Sequence, residues 1–213
     1  MKNKNLIILI ITVSVSAVGC GSTADTDSIY RDALAGFYQQ DLEEAETLFL
    51  RVVKNDRSHS NAFLMLSKIS YYKGEYERAV DFAEKALKQS PGHSGALYWM
   101  ARSLIMKDKN NTGTAIDLLR KSLEGGSGSI RERQLLALLY EKEGRYKEAF
   151  HQYYKALRDE EVLVNIRVNL ALLYDSLGMD ERGSSEIEKA VNVAKAAGIS
   201  DENITRIKSG MQK

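Results

Sequence analysis

A six-residue element recurs along this chain at a fixed spacing. Gly74-Glu75-Tyr76-Glu77-Arg78-Ala79 returns as Gly144-Arg145-Tyr146-Lys147-Glu148-Ala149, and Gly178-Met179-Asp180-Glu181-Arg182-Gly183 follows 34 residues later. A weaker copy, Gln40-Asp41-Leu42-Glu43-Glu44-Ala45, precedes the first by the same 34 residues. Between Gly74 and Gly144 lie two periods plus two residues, which puts Ala115 in the alanine place of a middle copy and the extra residues within 107–113. Five units then run without gaps: 26–59, 60–93, 94–129, 130–163 and 164–197. A period of this length marks a stacked array in which each unit buries its apolar face on its neighbours.

Helices are the expected content of each unit. The chain has 1 proline in 213 residues, where average usage of about 5% would supply roughly ten; short links between helices suit that scarcity better than the turns of a β-sandwich. Small residues recur where two helices must pass closely. The eighth place of the units holds Ala33, Ser67, Ala101, Ala137 and Ala171; the twentieth holds Ala45, Ala79, Ala115, Ala149 and Gly183; the twenty-seventh holds Val52, Ala86, Ser122, Ala156 and Ala190. Larger groups flank them, with Leu66, Met100, Leu136 and Leu170 on the first helices (A) and Leu87, Leu123, Leu157 and Val191 on the second (B).

This pattern resembles the tetratricopeptide repeat, a helix-turn-helix unit with small and large residues at fixed places. The resemblance implies an all-α fold, a right-handed α-solenoid of five units, closed by a C-terminal cap at 198–213 in which Gly198 ends a helix and Ile204, Ile207 and Met211 cover the last apolar face. Departures from the pattern are specific. Asp32 and Gly36 fall inside the first A helix, Arg133 and Arg167 stand near helix starts where a large apolar residue is usual, and only Pro91 keeps the closing proline. The run Glu124-Gly125-Gly126-Ser127-Gly128-Ser129 reads either as a hinge or as an ordinary inter-repeat turn.

The amino terminus carries a different signal. Lys2 and Lys4 precede an apolar stretch at 6–18, short of the roughly 20 residues that span a bilayer but suited to the core of a secretory leader. Small residues, Ala17 and Gly19, stand before Cys20, the sole cysteine. The stretch resembles the lipobox of bacterial lipoproteins, although Ala17 stands where that family most often has Leu. The resemblance implies removal of 1–19 and a multiply acylated Cys20, followed by a short linker to residue 25, whereas an ordinary secreted chain would carry Cys20 as a free thiol. Gly21 after the cysteine favours the outer membrane facing the periplasm over inner-membrane retention.

Charge excludes several roles. The chain has 30 basic and 29 acidic side chains; removing Lys2 and Lys4 leaves the mature part near neutral, with no polybasic membrane contribution and no general reason to bind nucleic acid. His59 and His93 fall at unit ends, His151 lies on a B helix, and neither a metal-ligand spacing nor a phosphate-cradling glycine loop occurs. The expectation is therefore a protein that is not an enzyme and needs no cofactor or metal.

The resemblance also implies a concave groove lined by A-helix side chains at the second, fifth, sixth, ninth, twelfth and thirteenth places. These are Tyr30, Leu34, Phe37 and Tyr38 in the first unit, Leu64, Met65, Lys68, Tyr71 and Tyr72 in the second, and Tyr98, Trp99, Arg102, Ile105 and Met106 in the third. Such an aromatic groove with two cations has the composition of a peptide-binding hot spot. In the fourth and fifth units the groove reads as polar, through Arg131, Gln134, Glu141, Lys142, Asn165, Asn169 and Asp175. The lysine, asparagine and arginine clamp of relatives that grip chaperone tails is missing, since Tyr30, Leu34, Met65, Gly95 and Trp99 stand there; an apolar segment or a folded surface is the expected ligand. The leading expectation is a lipid-anchored adaptor or scaffold of a cell-envelope assembly, analogous to pilotins of pilus secretins or to the helical lipoprotein of outer-membrane barrel assembly. The alternative is a periplasmic small-ligand or transport accessory protein with an apolar molecule among Tyr71, Tyr98 and Trp99.

Overall fold

The structure, a computed structural model, describes residues 23–124, 129–159, 164–196 and residue 205 of the chain. The expected leader, Cys20, the glycine run at 125–128 and the terminal cap (residue 205 aside) lie outside the described residues. Among the described residues the fold is all-α as expected, with ten α-helices, one 3₁₀ turn and no strand. The helices are α1 (Thr23–Tyr38), α2 (Leu42–Asn55), α3 (Ser60–Tyr72), α4 (Tyr76–Gln89), α5 (Ser94–Lys107), α6 (Thr112–Glu124), α7 (Ile130–Lys142), α8 (Tyr146–Asp159), α9 (Val164–Ser176) and α10 (Asp180–Ala196). One correction falls at the start: α1 begins at Thr23, so the linker expected to reach residue 25 is already helical there. Asp25 in its first turn suits the positive end of the helix dipole, and Thr26 is buried.

The described residues fall into two compact units, one up to residue 57 and the other from residue 58 onward. In the first, α1 packs on α2 with Ile29, Ala33, Ala45, Phe49 and Val52 buried. Gly36 gives the close approach there, since a Cβ on it would sit 3.6 Å from that of Ala45. In the second, each helix from α3 to α10 packs on the next, and α3 also packs on α5.

Every residue at the eighth, twentieth and twenty-seventh places is buried. The two serines among them do not waste their hydroxyls. Ser67 Oγ donates to the carbonyl of Ala79 at 2.8 Å, and Ser122 Oγ donates to a Glu132 carboxylate oxygen at 3.0 Å. Small side chains at these places let backbones approach, and the hydroxyls satisfy the polarity that burial would otherwise penalise.

The glycine that opens the recurring element has a backbone cause. Gly74, Gly144 and Gly178 have φ of 79°, 72° and 68°, the left-handed region that a side chain disfavours. At each, the following amide reaches back to close the helix end: Glu75 to the carbonyl of Ser70, Arg145 to Tyr140, Met179 to Tyr174. In the first unit Gln40 takes the same conformation at φ 67°. Gln40→Gly should therefore stabilise the protein by about 1 kcal/mol, read as a higher midpoint in urea denaturation; a lowered midpoint would count against the left-handed turn. The third unit uses another device. Its two extra residues lie in a link where the 3₁₀ turn Lys109–Asn111 joins α5 to α6, held by Asp108 Oδ1 accepting from the Asn110 amide at 2.9 Å.

Two histidines stand at helix starts, and one of them caps its helix. His59 Nδ1 accepts from the Ala62 amide at 3.1 Å, capping α3. His93 precedes α5, and its Nε2 lies 2.9 Å from Asn61 Oδ1.

Candidate interaction face

Helical spacing puts Lys68, Tyr71 and Tyr72 on the last two turns of α3, and Tyr98, Trp99 and Arg102 along α5, and the packing of α3 on α5 brings them together. Trp99 is the hub. Its ring lies edge-on to Tyr71 at 5.2 Å, to Tyr72 at 5.5 Å and to Tyr98 at 5.6 Å; such T-shaped pairs add to the benefit of burial.

The Arg102 guanidinium lies over the same cluster, 4.6 Å from the centroid of Tyr71, 4.8 Å from Trp99 and 5.7 Å from Tyr98. One of its nitrogens donates to Tyr71 Oη at 3.0 Å, and another reaches Tyr98 Oη at 3.5 Å. Lys68 Nζ stands 5.9 Å from the Trp99 ring. These contacts are cation–π in kind, and they hold positive charge against an aromatic floor.

Burial pushes the Lys68 ammonium below its ordinary value, and the charge of Arg131 adds to that shift. Burial likewise lowers His93, with Lys68 a further cause. The Tyr98 phenol is raised, chiefly by burial and further by the charge of Glu132, against the opposing pull of Arg102 and Arg131. Arg131, in the first turn of α7, is thus the third cation acting on this face.

Two expected groove residues are core instead. Met65 and Trp99 are only 5% and 7% exposed. Both occupy the sixth place of their A helices, which points at the neighbouring helix rather than outward. Lys68, Tyr71, Tyr98 and Arg102 are half-buried, whereas Tyr72 and Met106 are exposed. The three rings expected around an apolar ligand, Tyr71, Tyr98 and Trp99, come together, with the guanidinium of Arg102 over them. In the first unit, taken by itself, Tyr30 is half-buried with its ring edge-on to Phe49 at 5.6 Å, Phe37 lies 5.8 Å from the ring of Tyr38, and Tyr38 is exposed.

The polar reading of the fourth and fifth units missed two residues. Leu138 on α7 and Leu172 on α9 are both exposed, and both stand at the ninth place, where Lys68 and Arg102 stand in the preceding units. The same rule of places would have found them. Arg167, unusual near a helix start, is explained by Glu186 of α10, whose carboxylate accepts from it at 2.9 Å. Among the described residues no group of three or more His, Cys, Asp or Glu is placed to hold a metal ion.

Comparisons with known proteins agree with this fold. The family model of anaphase-promoting complex (cyclosome) subunit 3 matches residues 38–107, and the tetratricopeptide repeat model matches residues 133–158. A curated relative, the DnaJ homolog subfamily C member 7 homolog of Schizosaccharomyces pombe, is 21% identical over 169 residues; these make up 78% of this chain and 30% of that protein. The chain therefore spans less than a third of that relative. Pseudomonas aeruginosa PilF superposes with a TM-score of 0.71 at 14% identity, covering 87% of this chain and 88% of the other. YrrB, described as a TPR protein with an unusual peptide-binding site, superposes with a TM-score of 0.63 at 19% identity, covering 81% and 88%. The fold is that of the tetratricopeptide repeat.

Proposed function

We propose that the chain is an interaction scaffold of a bacterial cell envelope, anchored to a membrane by lipid at Cys20, which holds a segment of a partner protein against the A-helix face of its repeats. The observation that carries this reading is the exposed Tyr72, backed by the rigid Tyr71, Trp99 and Arg102 cluster. A large side chain fixed on a packed floor loses little entropy on binding, the property of a hot-spot residue. The fold that the chain shares with YrrB adds support, and the proposal assigns no reaction to the protein. Attachment through Cys20 rests on the basic start, the apolar stretch at 6–18 and the small residues before the sole cysteine, and Gly21 after it is what favours an outer-membrane position facing the periplasm.

A photo-crosslinking amino acid in place of Tyr72, set against one in place of the exposed Asp81 on α4, tests the face in intact cells. A specific adduct is expected from position 72 alone; equal labelling at both would remove the A-helix face from the proposal. In the same cells an inhibitor of the lipoprotein signal peptidase should make the precursor accumulate, and normal processing would overturn the anchor.

A further inference from the structure

We infer that the partner segment is acidic, with carboxylates taken by Lys68, Arg102 and Arg131 while an aromatic side chain of the same segment packs on Tyr72. This rests on the scaffold reading above and names the chemistry of the partner.

Charge on this chain is balanced overall, and several of its cations meet acids, Arg145 with Glu148 at 3.0 Å and Lys107 with Glu77 at 3.6 Å among them. Among the described residues Lys68, Arg102 and Arg131 have no such partner. The acids of α7 nearest them in sequence have hydrogen-bond partners of their own. Glu132 is buried, its carboxylate accepting from the Ser129 amide and from Ser122 Oγ, and Glu141 accepts from the buried Tyr153 hydroxyl at 3.2 Å.

Three cations on three A helices thus act on one face without an ion-pair partner among the described residues, where the one carboxylate that also acts on Tyr98 is the buried Glu132. Lys68 and Arg131 repel one another across the face, and the burial that already disfavours the Lys68 ammonium makes that repulsion costlier. A carboxylate between them relieves it. Arg102 is preorganised for the purpose, because its bond to Tyr71 and its seat on the rings fix the guanidinium plane while further N–H donors remain for a ligand oxygen. Charge complementarity of this kind also suppresses wrong partners.

Fluorescence anisotropy with a fluorescein-labelled peptide of Glu and Tyr, and its Lys and Tyr counterpart, tests this on the purified chain. The Glu peptide should bind and the Lys peptide should not, with affinity falling as salt rises. Arg102→Gln should cost about tenfold or more in affinity. That variant also loses the bond to Tyr71, so the deciding variant is Lys68→Gln with Arg131→Gln, whose native side chains carry no hydrogen bond or ion pair among the described residues. It should keep the circular-dichroism melting profile and still lose most of the binding. Failure of the Glu peptide to bind, equal binding of the Lys peptide, or undiminished binding by the double variant would overturn the inference. Binding of a single-stranded RNA oligomer at least as tight as that of the Glu peptide, with the same loss in the double variant, would overturn it in favour of a nucleic-acid partner. Adducts from position 72 that persist in cells carrying the double variant would leave the scaffold standing and remove only the acidic partner.

Discussion

Trp99→Ala should destabilise the second compact unit by about 3–5 kcal/mol, the range for truncating a buried large aromatic. The side chain is 7% exposed and makes ring contacts with Tyr71, Tyr72 and Tyr98 while seating Arg102 and Lys68. Removing it leaves a cavity between α3 and α5 and frees Arg102 from its platform. Urea denaturation followed by circular dichroism is the appropriate measurement, because Trp99 is the sole tryptophan and its fluorescence goes with it. A loss below about 1 kcal/mol would show that the ring is not the packing hub described. One practical consequence is that weakened binding in a Trp99 variant says little about the face; Tyr72, exposed and at the margin of the cluster, is the informative position.

Glu186→Ala should cost about 3–5 kcal/mol by a different route. The carboxylate is buried, accepts from Arg167 at 2.9 Å and is approached by Lys189 Nζ at 2.6 Å. Lys189 is half exposed and can turn to water, but Arg167 is 18% exposed and would keep an unpaired charge in the seam between α9 and α10. Removing both charges at once should behave otherwise. Arg167→Leu with Glu186→Leu should recover most of the loss or exceed the parent, since well-packed apolar pairs often replace buried ion pairs without penalty. Denaturation curves for the two variants settle the matter, and a double variant as unstable as Glu186→Ala would mean that the pair is worth more than its desolvation.

Much of this architecture is legible in the sequence because its causes are local. A small residue is favoured wherever two backbones approach, and the eighth, twentieth and twenty-seventh places show that preference everywhere but at Val52. Glycine is required where the chain turns left-handed, and Gly74, Gly144 and Gly178 are there for that reason. The interaction face is legible only in part. Helical periodicity assigns Met65 and Trp99 to the same broad face as Lys68 and Tyr72, but it does not say how far the next A helix covers that face. Coverage is a property of the α3–α5 seam, and it turns the sixth place into core while leaving the ninth and thirteenth within reach of solvent. Arg102 shows the same limit. Tyr98 and Trp99 lie four and three residues before it on α5, so helical spacing already sets those rings beside its guanidinium, whereas its bond to Tyr71 depends on a residue of α3 thirty-one positions earlier. Arg167 looked like a departure from the pattern until its partner nineteen residues onward was visible.

The link between α5 and α6 shows where a chain of this kind can change length. Each residue added to a helix rotates everything beyond it by about 100°, so two residues inserted within α5 would have swung the last turns of that helix nearly to its opposite side. Placed instead in the link, the extra residues are absorbed by a 3₁₀ turn, and Ala115 keeps its buried place on α6. Lengthening a link costs only a few tenths of a kcal/mol in closure entropy. What is inherited from one repeat to the next is therefore the angular phase of each helix, and the count of residues between helices is free to drift.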